Sequence, residues 1–71
     1  MILNKKGIVT NFAPKDDIKR RLLDIGIMKG SHITRVLEDF SGNMSAYLVR
    51  GSLVAIRNKD TVGVEVTYEE V

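Results

Sequence analysis

One stretch of this chain, "PKDDIKRRLLDI" at residues 14–25, carries helical spacing, and it runs straight into Gly26 with Gly30 close behind. Ile18, Leu22 and Ile25 step by four and three, Leu23 widens the stripe, and Lys15, Lys19 and Asp24 fall on the water side. Pro14 suits a first helical turn, and Asp16 and Asp17 put negative charge where the free N–H groups of a helix start favour it. Gly26 stands where helices close with a left-handed residue, a conformation that costs glycine no Cβ clash. The sequence therefore predicts one helix, over about residues 14 to 25. Ile27 and Met28 can fold back beyond its cap as hydrophobic contacts, and "KGS" at 29–31 reads as a turn.

Around that helix the chain reads as short strands. "KGIVTNF" precedes it, and "SHITRVLEDF" from Ser31, the turn "SGN" at 41–43 and "MSAYLVR" compose a hairpin. "RGSL" places Gly51 first of two central residues, as a type II′ turn prefers, and leads into "LVAIRN". In "TVGVEVT" the residues Val62, Val64 and Val66 share one face, and Gly63, Glu65 and Thr67 the other. The expected fold is mainly β: a small barrel of about five strands with one capping α-helix between strands 1 and 2, in a single domain over residues 1–71. A sheet this short either twists closed or leaves long edges exposed, which favours the barrel.

With 71 residues and no cysteine, the fold has neither disulfide staples nor thiolate metal ligands, so a modest apolar core must hold it. The same absence removes thiol nucleophiles and is consistent with a reducing compartment. A lone imidazole, His32, cannot assemble a zinc set, and Asp16, Asp17, Glu38 and Asp39 would gather a hard cation only weakly. No metal site is expected. Nor is a catalytic site, since no Ser, Thr or Lys stands in a nucleophile motif, and the glycines at 26 and 30 follow a helix where a phosphate loop would precede one. Eleven basic and nine acidic residues give a net charge of +2, with "KRR" at 19–21 the short basic run, which makes a nucleic-acid partner unexpected. The apolar runs are too short for a membrane helix, and "MILNKKG" has no secretory hydrophobic region, so the chain is expected in the cytoplasm.

Read together, "RRLLDIGIMKGSHITRV" and "VRGSLVAIRNKDTVGVEV" resemble the ferrous iron transport protein A (FeoA) family. The resemblance spans nearly the whole chain, and the family's motif falls on Arg21, Leu22, Gly26, Gly30, Gly51, Ala55, Ile56 and Arg57. It implies an SH3-like barrel and a small cytoplasmic accessory role in Fe(II) uptake beside FeoB, a membrane permease with a GTP-binding domain. A similar domain closes iron-dependent repressors of the diphtheria-toxin type. One departure is Lys29 in "GIMKG", where the pattern usually has proline and a stiffer turn.

The resemblance implies a protein that works by contact with the cytoplasmic part of a FeoB-type permease, without small-molecule substrate or cofactor, and that meets the membrane only through that partner. The expected contact surface is a mixed basic and apolar patch of Lys19, Arg20, Arg21, Ile27 and Met28, with Lys15 nearby. For Arg21 and Arg57 the alternative is a structural role, holding loop carbonyls or a carboxylate. Two other functions compete: an SH3-like domain of a nucleic-acid-binding or iron-dependent regulatory system, and a weak direct Fe(II) binder.

Overall fold

The computed structural model describes residues 2–68. Strand β1 (Lys6–Phe12) leads into helix α1 (Asp16–Ile25), followed by β2 (His32–Glu38), β3 (Met44–Val49) and β4 (Ser52–Arg57); a 3-10 helix (Asn58–Thr61) then connects to β5 (Val64–Tyr68). The strands form one antiparallel sheet in the order β4-β3-β2-β1-β5. Mainly β, with its helix between the first two strands, the domain fits the SH3-like expectation. Its hydrogen-bonded ladder is curled but not closed, with β4 and β5 at its two ends. The curl has a local cause, because the register slips between Val9 and Asn11 in β1 and between Arg35 and Leu37 in β2, and such bulges bend a strand and add right-handed twist.

Inside the curl lie Val9, Leu22, Ile27, Ile33, Tyr47, Val49 and Ile56. Each such burial contributes about 1.5–3 kcal/mol against the entropy of ordering the chain. Helix α1 joins the core through Leu22, with Ile18 and Ile25 half-buried beside it. Leu23 does not widen that face: it is 40% exposed against 3% for Leu22, because one residue turns the side chain about 100° around the axis. The helix begins at Asp16 rather than at Pro14, since Lys15 is still extended at φ −61° and ψ 152°.

Gly26 closes the helix at φ +105°. Its N–H donates to the Leu23 carbonyl at 3.0 Å, and the Ile27 N–H donates to the Leu22 carbonyl at 2.9 Å. This paired pattern carries a hydrophobic contact between the residue past the cap and the last turn, here Ile27 with Leu22 in the core. Past it, the Gly30 N–H donates to the Val9 carbonyl and the Val9 N–H to the Ser31 carbonyl, so the turn is sewn onto β1.

Two turn readings are corrected. Val49 pairs with Ser52, so the β3–β4 turn is centred on Arg50 and Gly51, both at positive φ (52° and 80°), which is type I′ with glycine second. The alternation of "TVGVEVT" also breaks, because Thr61 still belongs to the 3-10 helix and Gly63 adopts φ +92°. Val62 is thereby turned out, 75% exposed, while Val64 and Val66 pack against the core.

Candidate interaction surface

The basic run at 19–21 does not make one patch. Lys19, Arg20 and Arg21 are all exposed, but successive residues of α1 are rotated by about 100°, so the three cations leave the helix in three directions. Ile27 is no surface anchor at all: at 1% exposure it belongs to the core, drawn in by the helix cap. Met28 is 39% exposed and lines a shallow depression with Lys29, Gly30, Ser31, His32 and Arg50. The Ser31 hydroxyl holds that turn, donating to the Gly26 carbonyl and accepting from the Met28 N–H, each at 3.0 Å.

Arg21 lies elsewhere. It lines a groove of about 210 Å³ between α1 and β4, together with Arg57 and Asp60. Ile18, Leu22 and Ile25 supply its apolar wall from the helix, and Ala55 and Ile56 its other side. Among the described residues neither guanidinium makes a hydrogen bond or an ion pair. The remaining motif positions are structural. Leu22 and Ile56 are core, Gly26 caps the helix, Gly30 and Gly51 turn the chain at positive φ, and exposed Ala55 keeps the β4 rim low.

A polar hub escaped the sequence reading. The buried Ser45 hydroxyl donates to Asn58 Oδ1 at 2.6 Å and accepts from Arg35 Nε at 3.0 Å, while Arg35 also pairs with Glu38 at 2.9 Å. The Asn58 N–H donates to the Asn43 carbonyl, and its side-chain amide to the Gly42 carbonyl. These bonds tie the 3-10 helix to the β2–β3 hairpin. No periodicity marks them, since the partners lie on separate segments. The sequence signal available was a serine at an inward position of an otherwise apolar strand.

Asp39 is held below the ordinary carboxylate value, chiefly by the Ser41 hydroxyl donating at 2.6 Å and further by backbone N–H groups including that of Gly42 at 2.9 Å. Its role is to shape residues 39–43. Among the described residues no three His, Cys, Asp or Glu side chains converge to hold a metal ion, and no helix is long and apolar enough to cross a membrane.

Residues 1–68 match the FeoA domain model, nearly the full length. The chain belongs to the FeoA domain family. That family is associated with ferrous iron uptake. Solved structures agree in fold: a FeoA-like protein from Clostridium acetobutylicum superposes with a TM-score of 0.84 at 22% identity, covering 96% of this chain and 79% of that one. FeoA from Chlorobium tepidum gives 0.85 at 22% identity, covering 96% and 65%. An iron uptake regulatory protein (FeoA) gives 0.79 at 25% identity, covering 97% and 89%. This chain thus spans just under two thirds of the Chlorobium protein. No curated protein matches at a significant level.

Proposed function

We propose that this FeoA domain is a cytoplasmic accessory and regulatory protein of ferrous iron uptake that acts by docking on the cytoplasmic part of a FeoB-type, GTP-binding membrane permease. The observation that carries the reading is the family match over residues 1–68. A solved relative bearing the name iron uptake regulatory protein supports the regulatory half. The surface suits transient protein contact: exposed cations on α1 steer encounter, and Met28 and the groove beside Arg21 and Arg57 offer apolar purchase.

Co-purification with the full-length permease of the same genome tests it, in the nucleotide-free, GDP-bound and GTP-analogue-bound states. Association in at least one state is expected. Lys19→Glu/Arg20→Glu and Met28→Asp, each shown folded by circular dichroism, then locate the contact: loss with either variant places that side of α1 or the Met28 depression in it. Failure of the wild type in every state would overturn the proposal.

A further inference from the structure

Strand β4 is an edge without the usual protection. Natural edges are blunted by bulges, proline or charges along the strand. Here "SLVAIR" pairs with β3 over its whole length without a register slip, and it contains no proline and no charge before Arg57. The opposite edge, β5, carries a charge inside the strand, Glu65 at its second position.

The hairpin fixes which backbone groups of β4 lie open. Val49 and Ser52 close a two-residue turn, and the Asn58 N–H donates to the Asn43 carbonyl at the other end. In an antiparallel ladder bonded and non-bonded pairs alternate, so Val54 and Ile56 spend their N–H and C=O groups on β3. Leu53, Ala55 and Arg57 direct theirs outward, into a row that pairs with no described strand and repeats every two residues, or about 6.8 Å. Beside this row runs the groove walled by Ile18, Leu22 and Ile25, with Arg21 and Arg57 lining it too and Asp60 its one carboxylate.

From these observations we infer that the β4 edge is a strand-addition site for an extended acidic segment of a protein partner. The segment's backbone pairs with Leu53, Ala55 and Arg57, its apolar side chains meet the α1 wall, and its carboxylates engage Arg21 and Arg57. Main-chain bonds give such docking its affinity, and alternate side chains its specificity. Paired guanidinium groups suit carboxylates through charge-assisted hydrogen bonds. A second copy pairing its β4 with this β4 is the poorer occupant, because β4 offers no carboxylate to the two arginines. The inference rests on the reading that the protein works by docking a protein partner.

The probe is the synthetic peptide Ac-Val-Glu-Val-Glu-Val-Glu-NH2, titrated into 15N-labelled protein. The expected result is movement and slowed hydrogen exchange at the Leu53, Ala55 and Arg57 amides. Binding should be at least about tenfold weaker for Arg21→Ala/Arg57→Ala, for a peptide with Lys in place of Glu, and for one N-methylated at alternate residues. Equal binding of the Lys peptide, shifts confined to β5 or the Met28 depression, or protection of the same amides by the protein's own concentration would overturn the inference, the last by assigning the edge to a second copy.

The permease experiment separates the two proposals. If the peptide pairs with β4 but the wild type never associates with permease, the edge site stands and the permease reading falls. If the permease binds wild type and Arg21→Ala/Arg57→Ala alike and the peptide leaves β4 unmoved, the edge site falls and the permease reading stands.

Discussion

Glycines at positive φ are not equivalent, and two of them show why. Gly63 and Gly30 both adopt φ +92°, yet a Cβ on Gly63 would lie 2.3 Å from the Ala13 carbonyl oxygen, whereas one on Gly30 would meet nothing within 4 Å. The close approach exists because the Ala13 N–H donates to the Gly63 carbonyl at 2.8 Å, binding the entry of α1 to the entry of β5. Gly63→Ala should therefore cost more than about 2 kcal/mol, from strain plus backbone displacement, and Gly30→Ala about 1 kcal/mol from the left-handed conformation alone. Urea denaturation of both variants measures the gap; equal midpoints would contradict the close approach. Asp39 gives a second prediction at this scale. Its folded pKa is depressed, so its contribution is present above the unfolded carboxylate value and is lost as pH falls through the folded one. The Asp39 carboxyl carbon should titrate below 3.8 by NMR, and Asp39→Asn should flatten the acid limb of stability; titration at or above 3.8 would remove the turn from the account.

Helix α1 is held by one narrow face and one cap, and both can be probed by neighbouring substitutions. Leu22→Ala should cost about 2–5 kcal/mol by opening a cavity under the helix, while Leu23→Ala, on the exposed side, should stay within about 0.5 kcal/mol. Chemical denaturation distinguishes this from the wider stripe that the sequence suggests, in which both would be costly. The joint between hairpin and 3-10 helix is polar instead of apolar. Ser45→Ala leaves the Arg35 Nε donor and the Asn58 Oδ1 acceptor without their shared hydroxyl and should cost about 1–3 kcal/mol. The same variant should speed amide exchange at Asn58, whose N–H bond to Asn43 depends on that joint. Unchanged exchange there would mean that the backbone bond holds the joint by itself.

At the scale of the whole molecule, no three His, Cys, Asp or Glu side chains meet among the described residues. Anaerobic calorimetry with Fe(II) should accordingly show no submicromolar site, and a stoichiometric one lost in His32→Ala would reverse that conclusion. The sequence by itself determined what depends on neighbours along the chain. The helix with its Ile18, Leu22 and Ile25 face, the glycine cap at 26, the number of strands and the helix's place between the first two all follow from local spacing and backbone preference, and so they were legible. Tertiary structure decided the rest. Ile27 went inside because the cap turns it onto Leu22, and Val62 went outside because Gly63 must approach Ala13. Arg21 and Arg57, thirty-six positions apart, share one groove only because the sheet curls until β4 lies beside α1. No periodicity encodes that meeting, because side chains brought together by packing need share no spacing along the chain.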